Sequence, residues 1–320
     1  MRRTCLVLTA IAMALLATPA RAHDRDRDFD LPQAGVYIEG IGVDEHVGVF
    51  YVSATNQSGT IYRGNLFSRD RKLTVWQPPT PGNDGRGIEV DRAGRVFVAG
   101  GPAAEVRVFD RRGALLAELE TGAAGSYLND LWIGPERSGD EPSGRGSGAA
   151  YVTDSSLPVI WRVSNRFGHW RIDRFLDVSG TIAYTPPLTD FDLGGITISP
   201  NGRYLLTTQG TTGQLWRIDL WTRRITQVDL GGANVINADG IVLRGHTLYV
   251  VQNFSRQISK LQLGRRFERG RVVKVMPTPD DRTFTTAKPV GRTLLAVDSK
   301  FGFPATAAVA EDRIVAIDTF

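Results

Sequence analysis

Short apolar runs separated by turn residues follow one another along the chain, and this arrangement repeats six times. In a typical copy a Gly-Ile pair is followed, after about eight to ten residues, by a β-rich run such as Phe50-Tyr51-Val52. The positions directly before the Gly-Ile pairs, or before their equivalents, are Glu39, Arg86, Asn129, Gly194, Asp239 and Thr285. They lie 43 to 65 residues apart. A period near 45 residues with several strands per copy is typical of β-propeller blades.

Further strands complete each copy. A third strand of alternating apolar and polar residues, such as Ile160-Trp161-Arg162-Val163, is found in all six copies, and a fourth strand in the first five. The last copy has no room for a fourth strand, but residues 29–36 resemble residues 228–235, where a fourth strand ends. We therefore predict an all-β fold, a six-bladed β-propeller of four-stranded antiparallel blades, with the last blade closed by the N-terminal strand. Closure leaves no unpaired edge. A β-sandwich with chance repetition is the alternative.

The N-terminal segment predicts export. A basic pair at positions 2 and 3 precedes an apolar run that is too short to span a bilayer, and Ala20-Arg21-Ala22 has the pattern of a signal-peptide cleavage site. We expect a secreted protein, extracellular or periplasmic, that has no membrane attachment after cleavage. The predicted division of the chain is a signal peptide over 1–22, a charged linker over 23–28 and a single propeller domain over 29–320.

Charge and cysteine content exclude several classes of partner and chemistry. The chain has 38 Lys and Arg, of which three leave with the signal peptide, so that 35 remain against 34 Asp and Glu. Without a basic stripe interleaved with aromatic residues, no nucleic-acid partner is expected. The one cysteine, Cys5, lies in the signal peptide, which leaves no disulfide and no thiolate ligand. We expect a monomer that acts on or binds a small molecule.

The six repeat positions are the candidates for chemistry. In a propeller the innermost strand of each blade lines a central channel, so these residues are expected to face one mouth of it, and the following Gly lets the backbone pass close to the axis. Carboxylate, amide and hydroxyl oxygens suit hard cations such as Ca²⁺, Mg²⁺ or Mn²⁺. The other interpretation is that each polar residue only begins a strand and caps a turn.

At these positions the chain resembles the gluconolactonase/senescence-marker-protein family, within a group that includes strictosidine synthase-like and paraoxonase-like propellers, over about residues 33–320. The resemblance implies one divalent cation held by Glu39, Asn129 and Asp239, with Ca²⁺ favoured over Zn²⁺, Mn²⁺ and Mg²⁺, and no organic cofactor. It also implies that Asp239 is the catalytic base and that Asn129 and Asp130 contact substrate. Arg86, or the Asn129 amide, would stabilise the oxyanion of metal-assisted hydrolysis.

Two departures from the family pattern leave the function open. Gly194 stands where the family has an Asn ligand, with Asp192 or Asn237 as possible substitutes, and Tyr127 stands where the lactonases tend to carry an Arg. The first hypothesis is a secreted gluconolactonase-like hydrolase that opens a lactone or related ester. The alternative is a non-catalytic propeller that binds a sugar, peptide or protein, so whether the protein is an enzyme stays undecided. A redox enzyme is disfavoured because no haem-attachment motif is present. None of the four histidines is paired at metal-ligand spacing.

Overall fold

A computed structural model describes residues 27–33, 35–55, 58–134, 148–184, 191–302 and 313–319. The predicted signal peptide and most of the predicted linker lie outside these ranges. The described part of the chain consists of strands and connecting turns, without an α-helix. Correspondingly, the described residues include no helix of the length and apolarity needed to cross a membrane.

In the part of the chain that the structure describes, twenty-four strands form six separate four-stranded antiparallel sheets, which are the blades. The strands of blades 1 to 3 are β2 (Ile38–Asp44), β3 (Val49–Ala54), β4 (Ile61–Asn65), β5 (Thr74–Gln77); β6 (Ile88–Val90), β7 (Val96–Ala99), β8 (Glu105–Phe109), β9 (Leu115–Glu120); and β10 (Leu128–Ile133), β11 (Ala150–Asp154), β12 (Val159–Arg166), β13 (His169–Asp177). Those of blades 4 to 6 are β14 (Leu193–Ile198), β15 (Tyr204–Gln209), β16 (Gln214–Asp219), β17 (Ile225–Gln227); β18 (Ala238–Arg244), β19 (Thr247–Gln252), β20 (Gln257–Leu263), β21 (Gly270–Pro277); and β22 (Phe284–Val290), β23 (Thr293–Asp298), β24 (Arg313–Asp318), β1 (Phe29–Asp30).

The N-terminal strand closes the ring, as the sequence predicts. β1 pairs antiparallel with β24, with Phe29 opposite Ile314. The Phe29 side chain is 1% exposed and packs edge-on against Phe50, with ring centroids 4.8 Å apart. Ahead of β1, the Asp28 carboxylate accepts a hydrogen bond from the Ala316 amide. The prediction of a six-bladed propeller with this closure is confirmed.

Apolar side chains between adjacent blades form the core, because each sheet buries both faces against its neighbours. One such cluster joins blades 4 and 5 through Leu206, Leu215, Ile241 and Val250, all at most 2% exposed. Such two-sided burial explains why the strands contain continuous apolar runs rather than strict alternation. The single-domain boundary at residue 29 stays a prediction.

The repeated Gly-Ile pair has a steric cause. A side chain at Gly40 would collide with the Arg86 carbonyl of blade 2, and one at Gly195 would collide with the Asp239 carbonyl of blade 5. The inner strands of neighbouring blades therefore touch backbone to backbone at this position, which only glycine allows.

Hydroxyl groups tie several blades to the next blade near the inner strands. Ser53 of blade 1 donates a hydrogen bond to the Arg86 carbonyl of blade 2 and accepts one from the Gly40 amide. Thr285 of blade 6 donates to the Glu39 carbonyl of blade 1, at 2.7 Å. These hydrogen bonds fix the backbone at the channel mouth, on which the candidate site is built.

A β-bulge recurs on the inner strand of five blades. The pairing of β2 with β3 shifts register between Ile38 and Ile41, and blades 3 to 6 shift at the equivalent place. The bulge contains the residue before the Gly-Ile pair, or its equivalent. Since a bulge breaks the alternation of the pleat and redirects a side chain, it accounts for channel-facing residues at this repeat position.

Candidate functional site

A cavity of about 460 Å³ lies at the mouth of the central channel. Five of the six repeat positions line it: Glu39, Arg86, Asn129, Gly194 and Asp239. The other lining residues are Tyr127, Phe191, Gly210, Thr211, Asn237, Ala238, Asn253, Phe254 and Phe301. The repeat thus brings together three of the four predicted catalytic or substrate-binding residues and all three predicted metal ligands.

Glu39 is buried at the base of the cavity and only partly satisfied. The residue is 7% exposed, and its Oε2 atom has no hydrogen-bond partner among the described residues. Burial raises the pKa of this carboxyl well above its usual range, and the negative charge of Asp239 raises it further, although Arg86 opposes the shift. The Oε2 atom of Glu39 is therefore a buried acceptor that a proton or a bound cation could satisfy.

Asp239 faces Glu39 from blade 5. Its Oδ2 atom accepts a hydrogen bond of 2.9 Å from the Nδ2 atom of Asn253. Burial, together with the nearby charge of Asp130, raises the pKa of Asp239 to about 7, against the lowering effects of Asn253 and Arg86. A carboxyl group that titrates near neutral pH is suited to accept and return a proton.

Arg86 supplies the positive charge of the cavity. Its Nη2 atom donates to Asp84 Oδ2 at 2.9 Å, and its guanidinium lies 5.3 Å from the ring centroid of Tyr127. The Nε atom of Arg86 is buried and has no hydrogen-bond partner among the described residues. Tyr127 of blade 3 thus contacts the arginine of the preceding blade. Burial raises the pKa of the Tyr127 hydroxyl, which stays protonated at neutral pH.

Hydrogen bonding fixes the orientation of Asn129. The Ser155 hydroxyl donates to the Leu193 carbonyl at 2.6 Å, so its single hydrogen is engaged. The 2.8 Å contact between Asn129 and Ser155 is therefore donated by the Nδ2 atom of Asn129. The amide oxygen of Asn129 is then left as the acceptor that faces the cavity.

The remaining repeat positions behave differently. Thr285 is fully buried and does not line the cavity, because its hydroxyl is bonded to the next blade. At Gly194 an added Cβ would lie 3.4 Å from its nearest neighbour, the Ala238 carbonyl oxygen, so the site has room for a side chain.

The sequence offers two possible substitutes for the ligand missing at Gly194. Of these, Asn237 lines the cavity and donates to Ser255. Asp192 is fully buried and accepts hydrogen bonds from Gln209 and Thr211.

Asp130, which is predicted to contact substrate, lies behind the lining of the cavity rather than in it. It does not line the cavity, and its carboxylate accepts hydrogen bonds from the amides of Leu131 and Ile196. Burial raises its pKa, against the lowering effect of the Lys288 charge. Its predicted contact with substrate stays a prediction.

Below the mouth, side chains of three blades fill the channel. Lys288 of blade 6 forms an ion pair with Glu89 of blade 2, and its Nζ atom lies 3.8 Å from the ring centroid of Trp132 of blade 3. Glu89 is three residues beyond Arg86 on the same chain segment, which in a strand is roughly 10 Å. These side chains occupy the channel below the cavity.

Aromatic side chains form the upper wall. Tyr127 and Phe191 have ring centroids 4.9 Å apart, and Phe254 and Phe301 line the cavity elsewhere. Phe191 is 52% exposed and Phe254 60% exposed. These three Phe residues lie in the connections between strands rather than at repeat positions, so the sequence pattern does not predict them. Asn253 directly follows the second strand of blade 5, and a polar residue at that strand end is the signal in the sequence that points to it.

The oxygen donors at the base fit a hard cation in type. Glu39 and Asp239 provide carboxylates, one of them with an unsatisfied oxygen, and Asn129 provides an amide oxygen. Within the described residues, however, no cluster of three or more His, Cys, Asp or Glu side chains is placed to hold a metal ion. These three side chains provide oxygen donors, and Gly194, at the fourth position, provides none. Any cation would therefore depend on water or substrate for its other ligands.

Comparison with known proteins supports the fold. No protein-family profile matches the chain, and no curated protein does. Among solved structures, the Malassezia sympodialis allergen Mala s 1 matches with a TM-score of 0.64 and 14% identity over 91% of this chain and 96% of the allergen. Regucalcin from Agrobacterium tumefaciens, a calcium-binding protein, matches with a TM-score of 0.62 and 14% identity over 90% of this chain and 92% of its own. Virginiamycin B lyase from Staphylococcus aureus matches with a TM-score of 0.60 and 15% identity, over 92% and 98%.

These similarities establish the six-bladed architecture and leave the family undecided. The neighbours include a calcium-binding regucalcin and a lyase, so the same fold carries different functions at this level of identity. The residues that line the cavity are therefore the basis for inferring the function.

Proposed function

We propose that the protein is a secreted hydrolase that opens a lactone or related ester in the channel-mouth cavity. The observation that carries the proposal is the arrangement of Asp239 opposite Arg86 in one buried space. Burial raises the pKa of Asp239 to about 7, and the guanidinium of Arg86, whose side chain is 18% exposed, lines the same cavity. A base that titrates near neutral pH beside a cationic donor suits attack of water on a carbonyl group.

In this proposal Asp239 accepts a proton from the attacking water and returns it to the leaving oxygen. Asn253 holds the Asp239 carboxylate in place through its 2.9 Å hydrogen bond. Arg86, fixed by Asp84 and Tyr127, donates to the carbonyl oxygen as negative charge develops on it. Asn129 presents an amide oxygen that can orient a hydroxyl group of the substrate or the water.

Glu39, Asn129 and Asp239 are the residues that would hold a divalent cation, with Ca²⁺ the best match to three oxygen donors. Such a cation would polarise the substrate carbonyl and lower the pKa of water. Its charge would also offset the repulsion between Glu39 and Asp239, which otherwise contributes to the raised pKa of Glu39. The structural similarity to a calcium-binding regucalcin is consistent with this assignment.

The upper wall favours a substrate with a flat apolar portion. Phe191, Phe254 and Phe301 contribute aromatic surface, whereas the polar neighbours Thr211 and Asn237 already donate to Asp192 and Ser255. A polyhydroxylated sugar lactone would leave many hydroxyl groups against this wall without partners, at a cost of about 1–3 kcal/mol for each group buried unsatisfied. We therefore propose an aryl or acyl-chain ester rather than a sugar lactone.

A binding propeller without catalysis is the second candidate, and Gly194 is the observation that favours it. The lost side chain reduces the oxygen donors, while the aromatic wall would still hold a ligand.

A substrate panel tests the proposal. The purified protein is assayed with an aryl lactone, phenyl acetate and glucono-δ-lactone, each with EDTA and with added Ca²⁺, Mn²⁺ or Zn²⁺. We expect hydrolysis of the aromatic substrates that falls at least 100-fold in Asp239→Asn, a typical effect of removing a general base. The matched control is Asp229→Asn, an exposed carboxylate outside the cavity. Aromatic ligands that bind without turnover in any metal condition would favour the binding propeller.

A further inference from the structure

A second cavity, of about 440 Å³, lies between blades 4 and 5. We call it the arginine groove, because its lining includes Arg203, Arg217, Arg224 and Arg266 together with Asp219 and Glu268. Thr222 and Arg224 belong to the β16–β17 turn, and Arg266 to the β20–β21 turn. β18 begins beside the channel-mouth cavity and β20 runs in the same direction, so the turn after β20 lies at the opposite end of the blade. The groove is therefore on the face away from the proposed active site.

Two of the four arginines are held rigidly. Arg217 is 6% exposed, and its guanidinium donates to Thr226, to the Arg266 carbonyl and to Glu268. Arg203 directs its Nε and Nη2 atoms to one oxygen of Asp219, both at 3.0 Å.

Tyr204 orders both of these guanidiniums. Arg203 lies 5.1 Å and Arg217 4.6 Å from the centroid of its ring. Such contacts fix the wall of the groove before any ligand arrives, which reduces the entropy that a ligand must overcome.

The other two arginines provide unbalanced charge. The guanidiniums of Arg224 and Arg266 are exposed and contact no carboxylate among the described residues. Since Asp219 offsets Arg203 and Glu268 offsets Arg217, the lining has two positive charges in excess. The Thr222 hydroxyl, which accepts from the Arg224 amide at 3.4 Å, keeps its hydrogen for a further acceptor.

The local excess contrasts with the rest of the molecule. The two turns, residues 220–224 and 264–269, contain five arginines and one glutamate. Outside the predicted signal peptide, basic and acidic residues are nearly balanced at 35 to 34. A concentration of guanidiniums around a formed cavity in a nearly neutral protein is therefore a local feature rather than a result of general composition.

We propose that the arginine groove binds a phosphate or sulfate group carried by a small molecule or by a glycan chain. Guanidinium forks match the oxygen atoms of such groups in pairs, and two excess positive charges balance a doubly charged group. The proposal does not depend on the chemistry of the channel mouth.

Calorimetric titration at constant ionic strength tests it. The probes are inorganic phosphate, inorganic sulfate, glucose 6-phosphate and a sulfated heparin tetrasaccharide, and the protein is the mature chain. We expect saturable binding of one equivalent and at least a 10-fold loss of affinity in Arg224→Ala/Arg266→Ala. Both residues are exposed, so the variant is expected to fold, and circular dichroism checks this.

The matched control is Arg265→Ala/Arg269→Ala, which also removes two positive charges beside the groove, at exposed residues that do not line it. Its affinity should stay within about 2-fold of the wild type. Equal weakening in the control would mean that the surface attracts anions by net charge alone, and absence of saturable binding of all four probes would likewise overturn the proposal. Tighter binding of glucose 6-phosphate would point to a phosphorylated small molecule, and tighter binding of the tetrasaccharide to a sulfated glycan.

Discussion

Lys288 and Glu89 form a buried ion pair although their blades, 6 and 2, are not neighbours. A side chain at Gly42 of blade 1 would collide with the backbone of Glu89, and both partners lie on inner strands of the ring. Burial raises the pKa of Glu89, and the Lys288 charge opposes that shift. The pair therefore connects blades 6 and 2 through the channel rather than through a blade interface.

Removal of one partner should be costly. Lys288→Met leaves Glu89 and Asp130 without their shared counter-charge, so we expect a loss of about 3–5 kcal/mol in the free energy of unfolding at pH 8. Glu89→Leu/Lys288→Met should recover at least half of that loss. Urea denaturation followed by tryptophan fluorescence measures both. The exposed Lys72→Met serves as the control, with an expected change within about 0.5 kcal/mol. A single variant as stable as the control would contradict the role of the pair.

Gly194 gives a gain-of-function test of the cation site. Its Cβ position is open, so Gly194→Asn can add the missing oxygen donor without a backbone clash. We expect Ca²⁺ to bind at least 10-fold more tightly to this variant than to the wild type, as measured by calorimetry on EDTA-treated protein. Gly194→Ala adds the same Cβ without the oxygen and should leave the affinity unchanged. An equal gain in both variants would attribute the effect to rigidity rather than coordination.

The pKa of Asp239 predicts a pH-dependent stability. A carboxyl group whose pKa rises from 3.8 to about 7 on folding binds a proton more tightly in the folded chain. The free energy of unfolding therefore falls as the pH rises through this interval. Asp239→Asn, which keeps an acceptor for Asn253, should raise the melting temperature by about 2 °C or more at pH 8, with the gain shrinking toward pH 5. A gain in melting temperature that is the same at pH 5 and pH 8 would contradict the raised pKa of Asp239 as its cause.

Phe254 should contribute to the choice of substrate. Phe254→Ala removes exposed aromatic surface from the cavity wall without leaving a buried void. We expect the KM for an aryl ester to rise about 10-fold, whereas the KM for a short aliphatic ester should change less than 2-fold. Phe67→Ala, at a similarly exposed phenylalanine outside the cavity, is the control. Equal effects on both substrates would assign Phe254 a role in shaping the cavity instead.

The sequence predicts the fold well because the same close approach of neighbouring inner strands recurs in the blades and imposes the same residue pattern on each copy. Gly40 and Gly195 occur at equivalent positions since both touch a neighbouring backbone, so the repeat reveals the blade interface directly. The same logic identifies Glu39 and Asp239 as channel residues. The same logic wrongly predicts that Thr285 faces the cavity, because its hydroxyl is hydrogen-bonded to the next blade instead.

Other parts of the site have no repeating cause and are not predictable in this way. Phe191 and Phe301 lie in loops whose length and composition differ from blade to blade. Lys288 lies in the most degenerate copy, and its partner Glu89 becomes evident only when both strands lie around one axis. Contacts across the channel depend on ring geometry, which a linear pattern does not contain.

The closure of blade 6 also has a consequence for how the chain reaches its native state. Asp28 and Ala316, which are hydrogen-bonded in the folded protein, are 288 positions apart. During synthesis the first strand must wait for nearly the whole chain to emerge before its partner exists. Until then blade 6 cannot form and blade 1 has no neighbour on that side, which leaves apolar faces and strand edges open to other chains. β1, which contains Phe29, is therefore among the last strands to find its partner. A chain truncated before β24 should aggregate rather than fold into five stable blades.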